Sequence, residues 1–239
     1  LVGSEMCIRD RAVAQAQAQI IERFGRSPSY VVSCAGVAPA GALLTSPVKM
    51  FTRAFDINAA ANVVLAQAFL PAMISNNHGH FMTVASSASY FSLPNLCAYS
   101  MSKTAALAFL ESLRAELRAV YKACRVRTSV VTPTKVRTVL AEGLNEGDDD
   151  FLMPVLEPIQ VARAMADTLN SGLSRNISLP LGSALLPYLR ALPEWYRGAL
   201  RAMGNTDALV TPESISRGQQ ALRGHQSNLD HMKKLGVHS

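Results

Sequence analysis

Four short apolar runs, at 30–33, 80–86, 126–131 and 176–179, are separated by helical segments of a dozen or more residues. Apolar runs of this length that do not alternate with polar residues suit strands buried on both faces, and parallel strands need helical crossovers between them. The chain is therefore predicted to be α/β, with an open, doubly wound parallel sheet. The predicted helices cover 12–25, a segment opening at Ser46 and Pro47, 61–75, a stretch ending near Ala123, and 158–169. Serine suits the cap and proline the first turn of the second helix. Leu107, Leu110, Leu113 and Leu117 recur at helical spacing and are read as core.

Ser86, Tyr99 and Lys103 carry the chemical signal. A Tyr and a Lys four residues apart share one helix face. A nearby ammonium favours the phenolate and would bring the Tyr99 hydroxyl toward a working pKa for proton transfer. Ser86, at the end of the apolar run from Phe81, is predicted to reach the carboxyl edge of the sheet, where ligands of such folds bind. Its hydroxyl could polarise the carbonyl oxygen that Tyr99 protonates.

The segments Val31 to Val37, Phe55 to Asn58, Ser86 to Lys103 and Val126 to Thr138 occur in the order and spacing of one known family. From about residue 12 to 210 the chain resembles the carboxyl-terminal two-thirds of a short-chain dehydrogenase/reductase, nearest to the branch of retinol and 17β-hydroxysteroid dehydrogenases and their fungal relatives. The resemblance implies a Rossmann-type fold and an NAD(P)(H)-dependent oxidoreductase that interconverts a lipophilic alcohol and its ketone or aldehyde. It places the catalytic tetrad on Asn58, Ser86, Tyr99 and Lys103. It assigns cofactor contacts to Ala35, Gly36, Tyr99, Lys103, Pro133, Val136 and Thr138. Lys103 would donate to the nicotinamide ribose, and Asn58 would anchor a proton-relay water.

Departures from the family bear on each part. Cys34 stands where the family has a second Asn, and Thr134 where it has Gly, a poor exchange if positive φ is needed. The family's amino-terminal strands and glycine-rich phosphate loop have no counterpart here, so the fold is expected to be amino-terminally truncated and its sheet edge uncovered. Residues 1–11 match nothing in the family and are read as a non-native leader, 12–210 as the partial domain and 211–239 as a tail. A second reading is a non-catalytic fragment that keeps the tetrad without holding cofactor. A glycine-rich strand-turn-helix joined in frame upstream would separate the two.

The formal charge of +6 is dispersed, without a basic block interleaved with aromatics, which argues against nucleic-acid binding. The four cysteines show no metal or disulfide spacing. The acidic segment at 142–151 lies where the family has its substrate lid, and its consecutive aspartates read as a solvated run rather than a metal site. No run reaches the roughly 18 uninterrupted apolar residues of a spanning helix. Leu185, Leu189, Leu192, Ala199 and Met203 are predicted to share an apolar face, interrupted at Pro193 and closing over the substrate pocket with Phe151, Leu152, Met153, Leu186 and Trp195. The same tryptophan-bearing surface could rest peripherally on lipid headgroups. The expected partner is a small lipophilic substrate, with steroid, retinoid or other lipid metabolism implied. A homodimer and a cytoplasmic or membrane-surface location, endoplasmic reticulum or lipid droplet, are compatible with the resemblance.

Overall fold

A computed structural model describes residues 2–141, 154–203, 210, 211 and 215, with side chains from residue 11. Four strands, β1 (Tyr30–Ser33), β2 (Gly79–Val84), β3 (Val126–Pro133) and β4 (Asn176–Leu179), form one sheet in that order. All three pairings are parallel, with Val31 opposite Phe81, Phe81 opposite Thr128, and Val131 opposite Ile177. Helices make every crossover: α1 (Val2–Phe24) precedes β1, α2 (Val48–Phe55) and α3 (Ala61–Ser75) lead into β2, α4 (Cys97–Ala119) into β3, and α5 (Pro158–Ser171) into β4.

Side chains alternate across each strand, so neighbouring apolar residues serve two cores. Phe81 and Val130 face the larger one, with Phe69, Leu70 and Met73 of α3 and Leu107, Leu110, Leu113 and Leu117 of α4. Met82 and Val131 face the smaller one, with Val161 and Met165 of α5. At the entry of β2 the helix lies so close that a Cβ on Gly79 would stand 2.5 Å from the Met73 Cγ. Only glycine permits that approach.

Several boundaries differ from the pattern, among them the end of α4, at Ala119 rather than near Ala123, and that of β3, at Pro133 rather than Val131. Helix α1 begins at Val2 rather than near residue 12 and ends at Phe24, before Gly25, whose φ of 69° terminates it. Pro47, not Ser46, takes the cap of α2, in extended conformation and without a side-chain hydrogen bond. Between α2 and α3 a π-helical turn, Asp56–Ala60, keeps the helix continuous through Ser75. The resulting 28-residue helix is long and apolar enough to cross a membrane by length and composition. It packs as a core helix, burying Ala54, Ala66, Phe69, Leu70 and Met73 and also the polar Asn58 and Asn62.

His80 shares the smaller core's face and is 1% exposed. Its Nε2 lies 2.8 Å from Ser129 Oγ, while Nδ1 has no partner among the described residues. Burial, reinforced by the Arg127 charge, lowers its pKa to about 4. A folded pKa below the unfolded 6.5 means that stability is complete above pH 6.5 and declines as pH falls toward 4, where protonating the unfolded chain wins. Denaturant melts should show wild type losing on the order of 2–3 kcal/mol across that window, a loss absent in His80→Gln. Equal losses in both proteins would remove His80 as the cause.

Candidate active site

The carboxyl ends of β1 and β2 bring the candidate residues together. After Val84 the chain makes one more ladder bond, from Ala85 N–H to the Val131 carbonyl. Ser86 therefore stands two residues beyond the strand rather than at its last position. There it caps a short 3₁₀ turn, with Oγ accepting the Ala88 N–H at 3.2 Å. Helix α4 opens at Cys97, so Tyr99 occupies its first turn and Lys103 the next. The Ser86 side chain adjoins the Tyr99 hydroxyl and favours its ionised form. The Lys103 ammonium sits 6.0 Å from the centre of the Tyr99 ring and donates to the Val84 carbonyl at 2.8 Å.

Asn58 projects from the π-turn and grips the peptide of Val37 from both sides. Its Oδ1 accepts the Val37 N–H at 2.8 Å, and its Nδ2 donates to the Val37 carbonyl at 2.8 Å. The same Nδ2 donates to Ser102 Oγ, which donates onward to the Tyr99 carbonyl. A Cβ built on Gly36 would lie 3.1 Å from Asn58 Oδ1 and 3.2 Å from Lys103 Nζ. Gly36 thus lets the backbone approach both groups closely, and all four tetrad positions converge on one end of the sheet.

Electrostatics correct one expectation. Lys103 does not draw Tyr99 toward the phenolate: burial raises the Tyr99 pKa, and the Ser86 side chain opposes this only in part. The ammonium is turned to the Val84 carbonyl, and desolvation acts on both groups. It lowers Lys103 itself to about 8, against a small opposing contribution from Cys34.

Pro133 ends β3 on the same sheet edge. The following loop is tied down by the Thr134 N–H to the Leu179 carbonyl, a bridge between Val136 and Leu156, and an exposed ion pair of Arg137 with Glu157. Thr134 does not adopt positive φ, so its replacement of glycine costs no backbone strain. Thr138 Oγ1 donates to the Val136 carbonyl at 3.3 Å. Among the described residues no hydrogen bond joins Pro133, Val136 or Thr138 to the tetrad.

The predicted pocket-closing face is only partly arranged as the spacing suggested. Pro193 does separate two helices, α6 (Leu186–Leu189) and α7 (Glu194–Met203). Leu186 is buried, but Leu185 is exposed, as are Trp195 and Met203 at 74% and 83%. Arg201 instead turns inward, 5.6 Å from the centre of the Phe91 ring. Phe151, Leu152, Met153 and the acidic run lie outside the described residues. Asn62, Thr83 and Ser102, all buried around the tetrad, were not singled out by spacing. A lone Asn in the otherwise apolar stretch 59–66, one helical turn after Asn58, was the available signal.

Residues 5–149 match the family model for short chain dehydrogenase. The chain belongs to the short-chain dehydrogenase family. That match starts within residues 1–11, which the spacing had set apart, and α1 runs through the same residues. The chain is 37% identical over 175 residues to the human estradiol 17-beta-dehydrogenase 11, covering 72% of this chain and 56% of that protein. It is 33% identical over 163 residues to mouse epidermal retinol dehydrogenase 2, covering 68% of this chain and 52% of the relative. The chain thus spans little more than half the length of these two dehydrogenases. Among solved structures, an alcohol dehydrogenase from the archaeon Thermococcus sibiricus, complexed with 5-hydroxy-NADP, superposes with a TM-score of 0.60 at 21% identity, covering 71% of this chain and 69% of that one. At that identity the likeness concerns the dehydrogenase fold.

Proposed function

We propose that this chain forms the catalytic part of an NAD(P)-dependent oxidoreductase that interconverts a lipophilic alcohol and its ketone or aldehyde. The observation that carries the reading is the Ser86 side chain beside the Tyr99 hydroxyl, with the buried Lys103 ammonium 6.0 Å from the centre of the same ring. Two oxygens that converge in this way can hold one substrate oxygen and exchange its proton. Ser86 fixes the oxygen and Tyr99 delivers the proton in reduction or removes it in oxidation.

The residues present fit a nicotinamide nucleotide. Lys103 has three donors and spends one on the Val84 carbonyl, which leaves donors for ribose hydroxyls. Gly36, without a side chain, lets the backbone run close beside that ammonium. When bound, the cofactor supplies or accepts the hydride. Tyr99 and Lys103 would hold its nicotinamide half and the backbone of Ala35 and Gly36 its adenine-side ribose, with Pro133, Val136 and Thr138 on the neighbouring loop. Asn58 keeps its side chain on Val37 and Ser102 and so steadies the wall behind Lys103.

The relatives' names, estradiol and retinol dehydrogenase, support a lipophilic substrate. Burial of apolar surface at roughly 25 cal/mol per Å² would favour such molecules over polyols. In the complete gene product, catalytic efficiency should be at least about tenfold higher for a steroid ketone or retinoid aldehyde than for a sugar. A competition assay of steroids, retinoids, aliphatic ketones and sugars checks this, and a sugar in first place would defeat it.

A further inference from the structure

In an α-helix the carbonyl of residue 58 would accept the backbone N–H of residue 62. The π-turn displaces that register: the Ala61 N–H reaches back five residues to the Asp56 carbonyl. A widened turn of this kind leaves carbonyls short of donors, and such turns occur often at functional sites. Here the side chain of Asn62 fills the gap. Its Nδ2 donates to the Asn58 carbonyl at 2.9 Å and the Ala59 carbonyl at 3.1 Å. Its Oδ1 accepts the Thr83 hydroxyl at 3.2 Å. Asn62 and Thr83 are both 1% exposed, so water cannot take over these bonds.

Thr83 belongs to β2, whose next residue, Val84, holds Lys103, and whose continuation presents Ser86. One side chain therefore ties the turn that carries Asn58 to the strand that orients the rest of the site. We infer that Asn62 is a positioning residue, holding the π-turn so that Asn58 stays on Val37 and against the Gly36 backbone that Lys103 also approaches. The inference rests on the dehydrogenase reading for its catalytic consequence, but its structural content stands without it.

Asn62→Leu, with the same number and branching of side-chain heavy atoms, removes both donors and the acceptor. Two measurements in the folded variant need no turnover: hydrogen exchange of the Asn58 side-chain amide, and the Lys103 titration followed by NMR at its ε-carbon. Exchange should accelerate about tenfold or more as the amide leaves Val37. The Lys103 midpoint, lowered by burial to about 8, should move by about half a unit, because the Gly36 backbone packed between Asn58 and Lys103 shifts with the turn. In the complete gene product kcat should drop about tenfold with KM within about twofold. Thr83→Val should shift each quantity the same way but less, and the double variant should be no worse than Asn62→Leu, since the two residues act as one unit. Unchanged exchange and an unchanged Lys103 midpoint overturn the inference. If Asn62→Leu does not fold, Thr83→Val carries the test alone, with the same two outcomes. Shifts in exchange and midpoint in a protein that turns over no alcohol keep this inference and reject the dehydrogenase reading. An active enzyme indifferent to Asn62→Leu does the reverse.

Discussion

Tyr99→Phe should lower turnover of the complete enzyme by about 10³-fold, in the range lost with a positioned general acid or base. The substitution keeps the ring, its packing and its place over Lys103 while deleting the hydroxyl beside Ser86. Lys103 is held by the Val84 carbonyl and not by that hydroxyl, so cofactor affinity should change by no more than a few-fold. Steady-state turnover together with a fluorescence titration of the reduced nicotinamide separates the two effects. Turnover close to wild type would exclude Tyr99 as the proton-transfer group. Because burial holds Tyr99 above its ordinary value, it remains a proton donor across the neutral range. The neighbouring Lys103 charge is the group that disappears as pH rises through about 8.

Lys103→Met should abolish turnover and yet stabilise the fold. The folded-state pKa of Lys103 is about 8 against 10.5 for a free lysine, so the native protein carries the cost of a desolvated ammonium in full below pH 8. Between pH 8 and 10.5 the unfolded chain binds more protons than the folded one, and wild-type stability rises with pH through that window. Removing the charge recovers a cost on the order of 3 kcal/mol. The Val84 carbonyl then loses its donor, which takes back about 1–2 kcal/mol. A net gain on the order of 1–2 kcal/mol at pH 7, shrinking toward pH 10.5, should appear in denaturant melts. A variant less stable than wild type at pH 7 would show that Lys103 is not under strain in the folded state.

The Leu186 and Trp195 region shows where pattern and packing part. Helical spacing placed Leu185, Ala199 and Met203 on one apolar face, and the helices do form on either side of Pro193. Yet Trp195 and Met203 face outward, and Arg201 turns toward Phe91. Periodicity reports that a helix has two faces. Which face meets the body depends on surfaces far away in the chain, here the Phe91 loop.

Strands β1 and β4 and helix α3 begin and end at the residues their local pattern indicated, because an unbroken apolar run and the breakers beside it are properties of neighbouring residues. The convergence of Ser86, Tyr99 and Lys103 was legible for the same reason: a strand end, a short loop and the first turns of one helix span only 18 residues. Asn58 was legible only through its resemblance to the family, and the hold that Asn62 and Thr83 exert on it was not legible at all. That hold crosses from a π-turn to a strand 21 residues away. Tertiary structure alone decided the charge states as well. The Tyr-Lys spacing predicted a phenol drawn downward by a cation, but desolvation sums over every element packed around the pair, and here it raises the phenol and lowers the ammonium.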